Sequence, residues 1–481
     1  MSFSLREAAV DRPHDDALVV DGDAWSYGQL AERVGRTMAA LLGRPELGAS
    51  PPSGRTPRVA LLADASPDSV LALLALVELG REVVLLHPRA SATERQSLVN
   101  LTRPAVVLDA AGLRQLALTA AATAPPSLTA APPIPDDDRP LAVLSTSGTT
   151  FAPRAVSLSR SAFAWAAEAS ARNLGAAPGE RWLLALPFAH VGGLAVILRS
   201  LRGRGAVVLS TASPSPASSP GALHAVLRRD RVTAVSLVPT QLGRLLDTAS
   251  LPPAPRLRTI LLGGAPASAA LLERADDRGL PVLTTYGMTE TCAQVATQRP
   301  GTRNRGQLGC GPPLPGVEVR LGADGQIALR AGSLLSGYLE PGGLRGALDG
   351  DGFLVTRDAG RLDADGNLHI LGRLDDVILS GGEKVHPLEV ETALGSAVGG
   401  ACVFGVADRE WGARVAAALV AAPGGPVDDP ALSAALAGLA GYKHPRAIAW
   451  LEALPLLASG KVDRRAVAAL AGPRLRGFPG G

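Results

Sequence analysis

The sequence predicts an α/β protein with a large N-terminal domain of α/β subdomains and a smaller α+β C-terminal domain. Short apolar segments alternate with longer helical patterns along the first part of the chain, which is typical of parallel sheets covered by helices. Residues 309–350 are rich in Gly and Pro and carry short alternating segments; this pattern favours antiparallel strands and a small β-barrel. Beyond residue 377, strand and helix patterns alternate again over enough chain for a separate domain.

The composition is that of a globular protein with an aliphatic core. Of the 481 residues, 47% are hydrophobic and 19% are charged, which excludes a disordered chain. The net charge of +3 gives no reason to expect nucleic-acid binding. The N-terminus lacks the pattern of a signal peptide, and the apolar stretch at residues 70–77 is too short to span a bilayer. We therefore expect a cytoplasmic protein that binds no nucleic acid and has no membrane span.

The first elements can be placed individually. Buried strands are predicted at residues 17–21, 58–63, 82–86 and 105–108. Residues 27–42 have apolar side chains near helical spacing, and a second helix over residues 67–79 follows Ser66 and Pro67, a favourable cap and first residue. Residues 121–140 and 211–220 are rich in small residues and Pro, and are predicted to be loops.

A hydroxyl-rich segment follows an apolar strand at residues 141–154. Short hydroxyl side chains, unhindered backbone N–H groups and a cation are the donors that a polyphosphate needs. The segment is not a Walker A loop, because Pro153 stands where the second Gly should be. No Gly-x-Ser-x-Gly elbow is present here, which counts against a serine hydrolase. Taken alone, the segment could also be a polar surface turn.

Five further polar clusters follow in order, at residues 286–290, 356–361, 372–376, 380–385 and 459–464. The first comes directly after an apolar run at residues 280–283, at a strand end where α/β folds bind ligands. Together with the hydroxyl-rich segment, these motifs resemble the adenylate-forming superfamily of acyl-CoA synthetases, luciferases and carrier-loading adenylation domains. The resemblance runs from about Arg12 to Arg465. It implies a ligase that uses ATP, Mg²⁺ and coenzyme A to convert a small carboxylic acid into its thioester.

The resemblance also implies roles for individual residues. The β- and γ-phosphates are expected to contact Thr146, Ser147, Gly148, Thr149, Thr150 and Arg154. The rest of the nucleotide is expected to lie against Gly264, Ala265, Tyr286, Gly287, Asp358 and Arg373. Thr289 would contact the α-phosphate, and Glu290 would bind Mg²⁺, a hard cation that prefers oxygen ligands.

The C-terminal motifs imply a mobile lid. Lys461 is expected to bridge the acid and the α-phosphate, and Asp375 matches the hinge of the family. The implied domains are residues 1–374, which bind AMP, and residues 375–481, with the hinge near 373–376. In the thioester-forming state, Gly381 and Gly382 would approach the pantetheine tunnel because they lack side chains. Residues 442–445 are expected near coenzyme A.

Three residues depart from the family pattern. Phe151 stands where Gly is usual and cannot readily adopt a positive φ. Arg154 replaces the usual Lys and keeps its charge but not its compact shape. Arg357 precedes Asp358 where a small residue is common. We expect activity to survive these changes, with altered affinity for ATP.

Residues 186–194, 236–242 and 380–387 most resemble the o-succinylbenzoate–CoA ligases of menaquinone synthesis. That substrate has a second carboxylate, so its pocket needs a cation or donors away from the reacting end. Arg199 and Ser236 match a basic and a polar position of those ligases, and His190 would lie where the acid meets ATP. On the residues alone, Arg199 could equally extend to solvent from an apolar helix. The other histidines, including His87, are expected to be surface or structural residues.

Two alternatives stay open at this point. The chain could be a CoA ligase for another aryl or medium-chain acid. It could also be a catalytically silent nucleotide-binding protein, which Phe151 and Arg154 make conceivable.

Overall fold

The computed structural model describes residues 2–48, 56–124, 134–146, 154–211, 220–248, 254–303, 309–422, 424–457 and 462–478. Seven residues singled out above lie outside this part of the chain: Ser147, Gly148, Thr149, Thr150, Phe151, Pro153 and Lys461.

The N-terminal part of the chain, to residue 373, alternates strands and helices. Its strands are β1 (Asp16–Val20), β2 (Asp23–Ser26), β3 (Val59–Leu62), β4 (Val83–Leu86), β5 (Val106–Leu108), β6 (Pro140–Thr146), β7 (Arg154–Ser159), β8 (Arg181–Leu183), β9 (Ala206–Leu209), β10 (Ala234–Leu237), β11 (Thr259–Leu262), β12 (Val282–Met288), β13 (Ala293–Thr297), β14 (Glu318–Leu321), β15 (Gln326–Arg330), β16 (Gly337–Glu340), β17 (Gly343–Arg345), β18 (Leu354–Leu362) and β19 (Leu368–Arg373). Its helices are α1 (Leu5–Asp11), α2 (Tyr27–Leu42), α3 (Pro45–Gly48), α4 (Pro67–Glu78), α5 (Ala92–Thr102), α6 (Ala110–Ala122), α7 (Arg160–Leu174), α8 (Val191–Gly203), α9 (Pro220–Arg229), α10 (Pro239–Leu246) and α11 (Ala269–Asp277).

Two large sheets organise these elements, as the α/β prediction requires. One has the strand order β13-β12-β11-β10-β8-β9-β1-β2, and its six central strands are parallel. The other has the order β17-β16-β7-β6-β4-β3-β5, with β6, β4, β3 and β5 parallel. Strands such as β4 and β11 are buried along their whole length, which explains their continuous apolar sequences. Ser66 caps α4 through a hydrogen bond from the Ser69 N–H, as the sequence predicted.

The Gly- and Pro-rich region forms short antiparallel strands, but the predicted barrel is not confirmed. Strands β14, β15, β18 and β19 form a four-stranded antiparallel sheet with β14 and β19 at its edges. Strand β16 instead joins the seven-stranded sheet, where Tyr338 pairs with Val156 of β7. The region is therefore divided between two sheets rather than closed on itself.

The C-terminal part contains β20 (Ile378–Ser380), β21 (Glu383–Val385), α12 (Pro387–Leu394), β22 (Gly400–Asp408), β23 (Gly412–Val420), α13 (Asp429–Leu436), β24 (Ala447–Leu451), α14 (Arg464–Ala471) and β25 (Arg476–Gly477). Its strands form one sheet centred on the long β22–β23 pair. Two hydrophobic clusters, one on each face, consist only of residues from Ile378 onward. This part of the chain therefore buries a core of its own.

Within the described ranges, no helix has both the length and the apolar character needed to cross a membrane.

Candidate active site

The predicted phosphate-binding segment begins and ends on paired residues. Thr146 at the end of β6 lies opposite Arg154 at the start of β7, and the Arg154 N–H lies 3.4 Å from the Thr146 hydroxyl oxygen. The Arg154 guanidinium lies over the Tyr338 ring, 5.2 Å from its centre. A guanidinium over an aromatic face is stabilised by the ring quadrupole. Arg154 is thus held at the exit of the segment, although it replaces the usual Lys.

Tyr286, Asp358 and Arg373 come together as the sequence predicted. The Tyr286 hydroxyl donates a hydrogen bond to Asp358 Oδ2 at 2.7 Å, and both side chains are buried. Arg373 Nε lies 3.3 Å from Asp358 Oδ1 because β18 and β19 place the two residues opposite each other. Burial and the neighbouring carboxylate raise the pKa of Tyr286 well above its ordinary value. The phenol therefore stays a donor that fixes the Asp358 carboxylate.

The backbone beside Tyr286 has no room for side chains at two glycines. A Cβ added to Gly287 would lie 1.5 Å from the Ala293 carbonyl oxygen, and one added to Gly263 would lie 2.8 Å from Thr285 Cγ2. Gly264 has a φ of +80°, a conformation that other residues rarely adopt. Ala265 follows it, before α11 begins. Gly287 and Gly263 are thus required by contacts within the protein, because Ala293 and Thr285 occupy the space that their side chains would take.

Thr289 and Glu290 lie in a 3₁₀ turn, Thr289–Thr291, directly after β12. The turn leads into two residues with left-handed backbone, Cys292 at φ +50° and Ala293 at φ +86°. Non-glycine residues adopt this region at a cost and often do so near functional sites. The Glu290 carbonyl accepts from the Leu335 N–H at 2.9 Å. The turn is thereby fixed against the segment that precedes β16.

The Glu290 carboxylate fits the role of a ligand for Mg²⁺. Its Oε1 accepts one hydrogen bond, from the Tyr338 hydroxyl at 3.2 Å, and a carboxylate has further lone pairs for a hard cation. Burial and the negative charge of Glu290 raise the pKa of Tyr338, so the phenol remains a neutral donor. Glu290, Tyr338 and Arg154 thus form one group beside the end of β6.

His190 lies at the N-terminus of α8 and packs against a second histidine, His87. Their ring centres are 4.8 Å apart with a tilt of 50°. Nδ1 of His87 accepts from the Arg89 N–H at 3.0 Å. Burial, and then the charge of Arg89, lower the pKa of His87 to about 4. His87 is therefore a neutral partner of His190, a role that its isolated position in the sequence did not reveal.

Arg199 lies on α8, the helix that His190 precedes. Its Nη2 donates to Gln294 Oε1 at 2.8 Å, and its guanidinium lies 4.8 Å from the centre of the Trp182 ring. The Nε and Nη1 atoms are shielded from solvent and have no hydrogen-bond partner among the described residues. Burial lowers the pKa of Arg199 to about 10, which leaves it charged at neutral pH. Arg199 does not extend to solvent, so the alternative left open by the sequence is wrong.

Ser236 is half-buried on β10, opposite Leu261 of β11. Among the described residues, no contact of its side chain assigns it a role. Gln294 is the residue that sequence reasoning missed: it is a buried polar side chain on an otherwise largely apolar strand. A glutamine inside a predicted strand was the available signal.

The predicted hinge residue Asp375 lies in a 3₁₀ turn, Leu374–Asp376. Its Oδ2 is 2.9 Å from Arg357 Nη1 and 3.7 Å from Arg373 Nη2. Arg357, one of the three departures from the family pattern, is therefore in direct contact with the predicted hinge residue. Further along the chain, the Lys384 amino group lies 2.8 Å from Asp324 Oδ1.

The structure also describes Gly381, Gly382 and Lys443, which the sequence analysis placed near coenzyme A. Gly382 has a φ of +86° and open space around it, whereas a Cβ on Gly381 would meet the Trp411 ring at 2.5 Å. Lys443, in the segment expected near coenzyme A, makes an ion pair with Glu389 at 2.6 Å.

Sequence comparisons identify two matching regions. The profile of the AMP-binding enzyme family matches residues 5–339, and that of the AMP-binding enzyme C-terminal domain matches residues 389–461. A 2-succinylbenzoate–CoA ligase of Listeria monocytogenes serotype 4b is 32% identical over 467 residues, which cover 94% of this chain and 96% of the relative. The enzyme of that name from Bacillus licheniformis is 35% identical, covering 84% of this chain and 88% of the relative.

Solved structures give the same result. The o-succinylbenzoate CoA synthetase (MenE) of Bacillus subtilis, in complex with the acyl-adenylate intermediate OSB-AMP, superimposes with a TM-score of 0.80 at 29% identity and covers 96% of both chains. ATP-bound MatB from Rhodopseudomonas palustris superimposes with a TM-score of 0.83 at 26% identity, covering 98% of this chain and 99% of that chain. With both its sequence and its α/β architecture matched over nearly the whole length, the chain belongs to the AMP-binding enzyme family.

Proposed function

We propose that this chain is an AMP-forming acid–thiol ligase whose acid is o-succinylbenzoate. In the first half-reaction, a carboxylate oxygen of the acid attacks the α-phosphorus of ATP, and the bond to pyrophosphate breaks. In the second, the sulfur of coenzyme A attacks the acyl carbon, AMP leaves, and the thiol proton is released. The chemistry brings anions together, so positioning and positive charge dominate catalysis.

The nucleotide is bound on one side by Tyr286, Asp358 and Arg373. The Tyr286 and Arg373 contacts hold the Asp358 carboxylate, which leaves further lone pairs to accept hydrogen bonds from the ribose hydroxyls. Gly264, Ala265 and Gly287 line the base.

The triphosphate is bound by the hydroxyl-rich segment and by Arg154. The segment contributes Thr146, Ser147, Gly148, Thr149 and Thr150. Thr289 would contact the α-phosphate, and Glu290 would hold Mg²⁺, whose positive charge would stabilise the phosphate oxygens. The use of ATP and Mg²⁺ is supported by the Bacillus subtilis relative, which was solved in complex with ATP and magnesium ion.

The choice of o-succinylbenzoate as the acid is supported by one observation, the state of Arg199. Arg199 is a charged guanidinium with shielded donors that lack a partner in the part of the chain that the structure describes. Leaving such donors unpaired is costly, so the site is built for an anion that arrives with the substrate. The carboxylate of o-succinylbenzoate that does not react is such an anion. Ser236 adds a polar group to this pocket, and His190 lies at the junction with ATP.

The C-terminal unit completes the cycle. Residues 1–374 form the nucleotide-binding domain, and residues 375–481 form a lid that rotates about Asp375. Lys461 bridges the acid and the α-phosphate during adenylation. Gly382 approaches coenzyme A in the second state. The separate core beyond residue 377 supports this division.

The proposal is tested with a panel of acids by pyrophosphate release. We expect o-succinylbenzoate to be the preferred acid over the same keto acid without the second carboxylate. Arg199→Ala should remove most of this preference, whereas Arg202→Ala should not. Arg202 is a matched control because it lies on the same helix and pairs with Asp136 at 2.9 Å. Equal rates for both acids, or binding of ATP without any product, would contradict the proposal.

A further inference from the structure

Gln294 connects Arg199 to the scaffold of the N-terminal part. Its Oε1 accepts from Arg199 Nη2 at 2.8 Å and from the Ser170 hydroxyl at 2.8 Å. Its Nε2 donates to the Thr297 hydroxyl at 2.9 Å. Because Ser170 is on α7, Arg199 on α8 and Gln294 on β13, a single buried amide joins three elements behind the acid pocket.

The donors and acceptors of this network leave the amide only one orientation. Arginine has donors only, so the Gln294 oxygen must face Arg199 and the nitrogen must face Thr297. Thr297 then directs its own proton to the Thr285 hydroxyl at 2.8 Å, and Thr285 donates to the Ala296 carbonyl at 2.9 Å. Rotation of the amide would break these bonds, so Gln294 presents a fixed acceptor to Arg199.

Because the Gln294 amide is neutral, it leaves the positive charge of Arg199 in place. The amide holds Nη2 in position but does not neutralise the guanidinium, as a carboxylate would. Trp182 covers a face of the same group, and its Nε1 is itself held by Glu180 at 2.9 Å. Of the five N–H donors of Arg199, the three on Nε and Nη1 are left for another acceptor.

We propose that Gln294 is a positioning residue for acid selection, since it orients Arg199 without cancelling its charge. It thereby sets the preference for acids that carry a second carboxylate. The inference rests on the proposed function, in which Arg199 binds that carboxylate. It predicts that a change at Gln294 alters the choice of acid without altering the binding of ATP.

The test compares three variants on two acids, o-succinylbenzoate and the same keto acid without the non-reacting carboxylate. Gln294→Glu places a carboxylate against Arg199, so we expect the KM for o-succinylbenzoate to rise about tenfold while kcat and the KM for ATP stay within twofold. Gln294→Leu removes the acceptor and should lower the preference several-fold. Ser170→Ala removes a hydrogen bond to the same oxygen and should leave the preference within twofold. It is the matched control.

Arg199→Ala separates the two hypotheses. If it leaves the preference unchanged, the proposed receptor for the second carboxylate is wrong. If it lowers the preference but neither Gln294 variant does, only the positioning role is wrong. Adding Gln294→Leu to Arg199→Ala should reduce the preference no further, because both act through one group.

A purely structural role gives a different pattern. Equal losses for both acids, or a parallel rise in the KM for ATP, would overturn the proposal. Thermal unfolding shows whether each variant folds. If Gln294→Leu does not fold, Gln294→Glu decides the question. If neither folds, the residue is structural and the proposal is overturned.

Discussion

Arg357 lies 2.9 Å from Asp375, the predicted hinge residue, although the two are 18 positions apart in the sequence. Asp375 also lies 3.7 Å from Arg373, which in turn contacts Asp358 at 3.3 Å. A row of alternating charges therefore connects Asp358, through Arg373, to the predicted hinge residue Asp375. Arg357, on the strand that carries Asp358, adds a second cation to this row.

Replacing Arg357 by Ala should alter the movement of the lid. Both partners of the Arg357–Asp375 pair are partly exposed, so the loss of stability should be below about 1 kcal/mol. We expect the ratio of the two half-reaction rates to change by about twofold or more. Pyrophosphate release measures adenylation, and thiolysis of supplied acyl-adenylate measures thioester formation. Arg330→Ala breaks a similarly exposed pair with Glu318 and is the control. Equal ratios in both variants would show that Arg357 does not restrain the hinge.

Removing the Tyr286 hydroxyl should weaken ATP binding. In Tyr286→Phe, Asp358 loses the donor that fixes its carboxylate, so we expect the KM for ATP to rise several-fold. Asp358→Asn should have a larger effect, because it removes the charge that faces Arg373. Initial rates at varied ATP measure both, and the KM for the acid is the internal control. An unchanged KM for ATP in both variants would place the nucleotide elsewhere.

Replacing Glu290 by Gln should raise the Mg²⁺ concentration needed for half-maximal activity by about tenfold, because an amide oxygen is a weaker ligand than a carboxylate. Titration with Mg²⁺ at saturating ATP gives this value. Tyr338→Phe keeps the carboxylate and removes only its 3.2 Å hydrogen bond, so its effect should be smaller. If Glu290→Gln leaves the Mg²⁺ dependence unchanged, Glu290 is not a metal ligand.

His87 should make the protein less stable in acid. Its pKa is about 4 in the folded protein, against an ordinary value of 6.5. Its contribution is therefore fully present above pH 6.5 and is lost as the pH falls towards 4, because the unfolded chain binds the proton more readily. His87→Asn should show a smaller fall in Tm between pH 7 and pH 5 than the parent. His14→Asn, at an exposed site, should match the parent. Identical slopes in all three proteins would refute the effect.

Lys461→Ala should abolish formation of the adenylate but spare thiolysis of supplied acyl-adenylate. The reason is that an ammonium between two reacting anions lowers the barrier only of the step in which they meet. Both half-reactions can be followed by separation of acyl-AMP and acyl-CoA. Equal losses in the two steps would assign Lys461 a general structural role instead.

Local patterns in the sequence predicted much of the architecture. Strands such as β3 and β4 are buried on both faces, so their apolar runs were visible directly, and Ser66 with Pro67 marked the start of α4. The barrel is not confirmed, and the reason is a distant pairing: Tyr338 pairs with Val156 of β7, and no local pattern in the sequence predicts that pairing. Sheet partners are chosen by the packing of the whole domain.

In the candidate site too, local sequence patterns did not predict contacts between distant parts of the chain. The motifs identified Tyr286, Asp358 and Arg373, and the structure brings them together. The contact of Arg357 with Asp375 and that of His87 with His190 depend on how separate strands are placed. They were not visible in the sequence. Gln294 was missed because a polar residue in a strand gives no indication of what it contacts.

The close approach at Gly287 also constrains how this protein can be changed. A Cβ there would lie 1.5 Å from the Ala293 oxygen, so even alanine would displace the backbone turn that carries Thr289 and Glu290. Mutagenesis libraries aimed at new acids should therefore leave residue 287 constant and diversify positions such as Ser236. The segment around Gly287 therefore tolerates less change in evolution than the position of Ser236 does.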